Sequence, residues 1–548
     1  MAGAHTPSPA LMDPASTSKA HVDLLHSDEM PSRTTYANVF PRLQPPSGHG
    51  IHSLSFSTTA NADRLPNSRI QFRPLIKQPV LADPSGVEPR LKAILVRYYT
   101  EHLAHWFDLC DPLRHFATVV PLRARNSRPL MNAIFTVSAR HLVRSSMHRD
   151  DSGIVFWQGN VLPELNEEKA VHFHNECIRE LLQLSMDPDQ VHNENLLAAA
   201  IILRTDEEMD VLCREDDDSG GGQVFLSLIY AYINAQVPSI APFLHQSPIT
   251  VFHSFSRDAI RAASERGPGP QTAYTPTAPG SELIAPSPAW MPPYDRITDS
   301  SIPRTTSQAN PLRQACFWVA CRQEVYASFI KQRPIILPLS RCGGLRELSP
   351  CEDHIWAMRM VVFCADVLNL CYGSSDSGNT KTPPLYADVD HWRRLQERDT
   401  AICATMPSSF EPTYYSASNL EAGECFPDVW YQESWHATGI AHMDLARILL
   451  TVFDPFLPRL GIGNVAAMRE RDRLLRYIVL HLCGIAVSNW RSPPNSINAF
   501  VAIAMCGELF TDRREQTALL ALLDSIQREF AYPTASIANE LKETWTKI

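Results

Sequence analysis

Apolar residues recur at helical spacing through residues 91–210, and no other feature limits the fold as much. Leu91, Ile94, Leu95 and Tyr98, then Leu103, Trp106 and Phe107, lie three or four apart. A second run carries Leu130, Ile134, Val137, Ala139 and Leu142. A third carries Leu196, Leu197, Ala200, Ile201 and Leu203. Each pattern fits a helix with one broad apolar face. Such a face cannot stay in water, so the three helices must pack together or against the C-terminal half.

The same periodicity continues. Residues 224–237 read as a buried helix, and helices resume at Gln314. Residues 352–371 form an apolar helix ending at Cys371, Tyr372 and Gly373. Asp388 or Asp390 is placed to cap a helix carrying Trp392 and Leu395. Pro427 opens a helical block through Trp435 and Ile440 to Val452, stopped by Asp454 and Pro455. Residues 470–489 are apolar nearly all round, at Leu474, Leu475, Ile478, Leu482 and Ile485, which predicts a buried helix. Pro493 and Pro494 start another, over Phe500 to Phe510. The last long helix carries Leu519, Leu522, Leu523, Ile526 and Phe530 on one face, and Arg513, Arg514, Glu515 and Gln516 on the other. Strand signals are sparse, so the expected fold is all-α: an irregular multi-helix domain over 86–548, in two lobes flanking an insertion at 214–311.

Two stretches fall outside that pattern. Residues 1–85 are rich in Ser, Thr, Pro, Ala and His and poor in large aliphatics. They cannot bury enough apolar surface to offset chain entropy and are expected to be a disordered tail. Residues 266–311 carry Pro, Ser and Thr at a density that precludes helix and ladder alike, which predicts a long inserted loop. The glycine- and serine-rich segment 373–384 reads as a shorter one.

The formal net charge is −10. A chain that binds nucleic acid by itself usually shows a basic stripe and a high isoelectric point, so the acidic balance argues against direct DNA contact. Thirteen cysteines are scattered from Cys110 to Cys506, mostly in apolar runs where the residue acts as a small hydrophobe. The odd count and the lack of a secretory leader favour a reducing compartment. The longest apolar run is read near Leu196, far short of the roughly 20 residues that span a bilayer. A soluble, intracellular protein with no membrane partner is the expectation.

A search for chemistry finds no Gly-x-Ser-x-Gly elbow, no phosphate-binding loop and no His-Glu-x-x-His. Gly461 and Gly463 lack the third glycine of a dinucleotide loop, and Gly220 to Gly222 read as a linker. His172, His174 and Cys177, with His192 as a further ligand, form the best local metal set, but packed histidines on a helix surface explain them better. Cys364 and Cys371 have a zinc-arm spacing yet lie in an apolar run, which favours core packing. Asp206, Glu207, Glu208 and Asp210 could hold a cation, and read more simply as a solvated helix end beside Arg204. Arg140 and His141, and the run Arg322, Gln323 and Glu324, are polar residues within apolar helices. They fit buried ties between helices better than the lining of a small-molecule pocket. No catalytic, cofactor-binding or metal-binding residue is therefore assigned. The basic clusters at 123–128 and 469–476 are too short or too mixed for an import signal.

Several blocks resemble the fungal-specific transcription factor domain, in its second, cutinase-regulator-like branch. They are Tyr98-Tyr99, the turn Trp106-Phe107-Asp108, Pro121, the run from Ala139 to Leu142, and Ile202-Leu203-Arg204 followed by Glu207-Glu208. Further blocks at 316–339, 426–458, 481–489, 506–526 and 532–545 follow in the family's order. In that family the helical domain does no chemistry and follows a Zn2Cys6 cluster that reads DNA. Such a cluster needs two Cys-x2-Cys-x6-Cys arms so that two zinc ions can share six thiolates. Here the first cysteine is Cys110, and Cys-x2-Cys does not occur. The resemblance thus implies the regulatory domain of a nuclear regulator of RNA polymerase II transcription. DNA would be contacted through a missing module or a full-length partner, and the partners would be proteins of the transcription machinery or a small-molecule effector. No cofactor is expected in this chain, and zinc only with a missing N-terminal cluster. The alternatives are a cluster-less co-regulator working through protein contacts, and an enzyme with an unrecognised helical active site.

Overall fold

The computed structural model describes residues 87–211, 229–236, 311–373 and 389–547, save 459, 491 and 493. The readings made for 1–85, for most of 214–311 and for 374–384 lie outside the described residues. What is described is helical, as the periodicity predicts. Helix α1 (Val87–Tyr98) runs through a π-helical turn, Tyr99–Leu103, into a short helix, Ala104–Phe107. The apolar positions named above in this run are all buried, with Ile94 the most exposed at 9 %. Then come α2 (Arg128–Arg144), α3 (Glu167–Ser185) and α4 (Glu194–Val211). Helix α2 packs against both α3 and α4.

The second half supplies α5 (Pro311–Lys331), α6 (Asp353–Tyr372), α7 (Val389–Thr405), α8 (Ser434–Val452), α9 (Asn464–Ser488), α10 (Pro494–Cys506), α11 (Arg513–Phe530) and α12 (Ala535–Lys547). Helix α5 is the hinge of the architecture, because it packs on α4, α6 and α10 at once. Helices from both sides of the undescribed span therefore share one hydrophobic core. The described residues from Val87 to Lys547 fall within one compact unit.

Local signals explain where several helices start. The Asn166 side chain accepts the backbone N–H of Lys169 and caps α3, and Asp512 accepts that of Arg514 and caps α11. Asp390 lies within the first turn of α7. Gly439 lets α8 approach α6: a Cβ there would lie 2.7 Å from Met360 Sδ and 3.2 Å from Ala357 Cα.

Four features depart from the sequence reading. Pro427 opens a strand, not a helix: β3 (Tyr414–Ser416) pairs antiparallel with β4 (Asp428–Trp430), and α8 begins only at Ser434. An earlier hairpin joins β1 (Val155–Trp157) to β2 (Asn160–Leu162). Its turn residues Gln158 and Gly159 both have positive φ, at 45° and 75°, as a two-residue hairpin turn requires. Helix α9 is buried on one side only, since Leu474, Tyr477 and Val487 are exposed. Finally, among the described residues α6 is the helix that stays apolar over a membrane-spanning length, which the reading near Leu196 did not anticipate. It is long and apolar enough to cross a membrane by composition, but it is mostly buried among other helices. Cys364 and Cys371 both lie in that buried helix.

Candidate functional site

Polar residues inside this core are organised into two networks. The first ties α2, α3 and α4. Asp206 is fully buried and accepts Arg140 Nε at 3.0 Å and Nη2 at 3.4 Å. His174 Nδ1 lies 2.9 Å from the other carboxylate oxygen. Arg140 also reaches Glu167, which Arg144 shares. The second network centres on Glu324 of α5, also fully buried. It accepts from Arg333 Nη1 at 2.6 Å, from the backbone N–H of Ile336 at 3.0 Å and from the Tyr230 hydroxyl. Arg204 Nη2 stands 3.4 Å away. Burial alone would raise the Glu324 pKa, but Arg333, Arg204 and Tyr230 hold it below the usual range. Gln323 Nε2 donates to Ile201 O at 3.3 Å and Thr205 Oγ1 at 3.0 Å, so α5 is pinned to α4 along its length.

These networks revise the reading of the acidic run. Asp206 to Glu208 is not a solvated helix end. Burial pushes the Glu208 carboxyl up to about 7 and that of Glu207 up to about 8, while Arg204 opposes the shift in both. Glu208 Oε1 lies 3.6 Å from Arg204 Nε. Asp210 has no described side chain. Arg140, Gln323 and Glu324 tie helices together, as the sequence reading had it, and Arg322 ties α5 to the carbonyl of Phe107.

The sequence-derived metal set is dispersed. His174 goes to Asp206, and Cys177 Sγ donates to Pro129 O at 3.1 Å. His172 lies on the exposed side of α3. Among the described residues no three His, Cys, Asp or Glu side chains are grouped to hold a metal ion.

Two further constellations were not foreseen. One surrounds Tyr98, whose hydroxyl lies 2.7 Å from His141 Nδ1 and 3.0 Å from His148 Nε2. Trp157 and His102 close the cluster. Burial lowers the pKa of His141 to about 3 and that of His148 to about 4, so both rings are neutral at physiological pH. The other is a cleft of about 570 Å³, within the size range of small-molecule sites. It lies where the loop after α1 meets β4 and the end of α9, with Trp430, Trp435 and Trp490 among its walls. On the α1 side, Asp108 accepts the backbone N–H groups of Phe116 and Ala117, each at 2.9 Å. Burial pushes the Asp108 carboxyl up to about 8, with Asp111 adding to the shift. Arg114 holds a left-handed conformation at φ 53°. The exposed tryptophans were the available signal, in the run from Trp430 to Trp435 and at Trp490. Their convergence with Asp108, more than 300 residues away in sequence, was not readable.

Taken together, the described polar residues mostly tie helices to one another, which suits a scaffold that holds or shifts helix arrangements. Residues 94–253, under a third of the chain, match the model of the fungal specific transcription factor domain. The match takes in the last five residues of α1, all of α2 to α4 and the helical stretch at 229–236. The blocks quoted beyond residue 253 lie outside the match, although their helices complete the same core. Neither the curated proteins nor the solved structures include a match to this chain.

Proposed function

We propose that the chain regulates RNA polymerase II transcription in the nucleus, with DNA contact supplied by a zinc cluster outside this sequence or by a partner factor. The carrying observation is the family match over 94–253, set beside a first cysteine at Cys110, already within the helical domain. The charge distribution supports it. The net charge is −10, and several arginines of the basic clusters are engaged with carboxylates: Arg123 with Glu194, Arg471 with Asp472, Arg473 with Glu470. The helical domain acts through protein partners and through a helix arrangement that a small effector shifts by binding one state better than another. A cluster-less co-regulator is the second reading, favoured by the absence of any Cys-x2-Cys from the sequence.

The test is a salt titration of DNA binding by the purified chain starting at Met1, with zinc analysis alongside. The expected result is no specific binding and no stoichiometric zinc. Tight, sequence-specific binding that weakens steeply with salt would place the DNA reader in this chain and overturn the proposal.

A further inference from the structure

The cleft of about 570 Å³ between the loop after α1 and the end of α9 holds two charges that the fold does not use. Five acidic or basic side chains among the described residues line it. Asp108 is committed to the backbone N–H groups of Phe116 and Ala117. Asp111 accepts those of Leu113 and His115 and faces His115 Nδ1 at 2.7 Å. Burial lowers the His105 pKa to about 4, so its ring is neutral. Arg114 and Glu433 remain. The Arg114 side chain is exposed and makes no hydrogen bond or ion pair among the described residues, although Asp108 feels its charge. Glu433 is the N-cap residue of α8, yet its half-buried carboxylate accepts no N–H of that helix and joins no ion pair. One cleft thus carries an unpaired cation on the α1 side and an unpaired anion at the start of α8.

The rest of the wall is largely aromatic. Trp430 of β4 and Trp490 beyond α9 are 45 % and 68 % exposed, so their rings are open to solvent, and Trp435 stands in the first turn of α8. Open indole faces favour a stacked ring over water. The neutral polar groups beside them are spent on the fold. Ser434 Oγ donates to Leu109 O at 3.1 Å, and the Asn489 amide is held by Val429 O and Tyr431 N. A fitting ligand therefore carries an anionic group for Arg114, a cationic group for Glu433 and a ring for the indoles. Arginine presents a fork of N–H donors that matches a carboxylate, and a carboxylate in turn takes an ammonium through charge-assisted hydrogen bonds. A ligand with only a positive charge would be repelled by Arg114, and one with only a negative charge by Glu433.

We propose that this cleft binds a zwitterionic amino acid with an aromatic side chain: Arg114 takes its carboxylate, Glu433 its ammonium, and the tryptophans its ring. This names a site and a ligand class for the effector of the transcriptional reading, and it rests on that reading for its consequence alone. The cleft joins the loop after α1, inside the family-matched stretch, to β4, α8 and α9 beyond it. A bound ligand therefore favours the arrangement in which these elements meet.

The experiment is titration calorimetry of the full chain with L-phenylalanine, phenethylamine and 3-phenylpropionate. The three share a ring and carry both charges, the cation alone and the anion alone. The expected result is saturable binding of L-phenylalanine, with each single-charge analogue weaker by about tenfold or more, the value of one hydrogen bond to a charged group. Glu433→Gln should weaken L-phenylalanine by a similar factor without weakening 3-phenylpropionate. Arg114→Asn puts in a residue that tolerates the left-handed backbone, and should weaken L-phenylalanine without weakening phenethylamine. Neither side chain holds the fold, so both variants are expected to keep the wild-type circular dichroism. No saturable binding of L-phenylalanine, equal affinity for either analogue, or wild-type affinity in both variants would each overturn the site. Such a failure leaves the transcriptional reading standing, because the DNA titration uses no ligand.

Discussion

Replacing Asp206 by Asn isolates what the buried network contributes to the helical scaffold. The substitution keeps the side-chain shape and removes one charge. In the wild type Asp206 is fully buried and takes two contacts from Arg140, at 3.0 and 3.4 Å, and one from His174, at 2.9 Å. The Arg140 side chain is itself only 5 % exposed, while its other carboxylate, Glu167, is 48 % exposed and correspondingly screened. Removing one partner of a buried pair leaves the other charge inadequately compensated, which costs about 3–5 kcal/mol. A surface pair supplies the control. Arg473 and Glu470 are 70 % and 64 % exposed, so solvent screens the pair and breaking it should leave stability nearly unchanged. Urea unfolding followed by far-ultraviolet circular dichroism measures both. The expected outcome is a loss of about 3–5 kcal/mol for Asp206→Asn and no resolvable loss for Arg473→Ala. A loss for Asp206→Asn as small as that of the control would refute the reasoning. The pair Arg140→Met with Asp206→Leu should recover much of the loss, because no buried charge then remains.

Three more perturbations follow from the packing and the titrating groups. Gly484→Ala should destabilise more than Gly439→Ala in the same urea assay: its Cβ would lie 2.3 Å from the Pro427 carbonyl oxygen, whereas Gly439 chiefly meets the flexible tip of Met360. Glu208→Gln should change the pH dependence. The folded carboxyl titrates at about 7 against an ordinary value of 4.5, so the native state holds the extra proton between those values and wild-type stability falls as pH rises through that window. The difference between wild type and variant should therefore shrink by about 3 kcal/mol from pH 4.5 to 7 and then level off, and a difference independent of pH would contradict the assignment. Asn489→Ala should free the hairpin of β3 and β4. Its amide donates to Val429 O at 2.8 Å and accepts from Tyr431 N at 3.0 Å, so hydrogen exchange at 428–431 should speed up while α6 stays protected.

Much of the fold was legible because its helices carry one apolar face each. Leu130, Ile134, Val137 and Leu142 are buried in α2 as their spacing predicts, although the helix is buried on every side from Ala133 to Val143. The strands were not legible. Residues 428–430 follow a proline and precede a long helical pattern, and β4 is fixed by the distant Asn489 rather than by its own alternation. Burial of charge was equally hidden. Asp206 and Glu208 look like a solvated acidic run, and only the approach of Arg140, and of α5 beside Arg204, shows that they are internal.

We propose that this helical domain regulates transcription without reading DNA itself. The most direct measurement fuses the chain from Met1 to a heterologous DNA-binding domain in a fungal reporter strain. The expected result is a change in reporter output that depends on the fused reader's sites and is lost in Asp206→Asn at equal protein level. An output unchanged by the fusion, or one that persists at the chain's own sites without the fused reader, would contradict it.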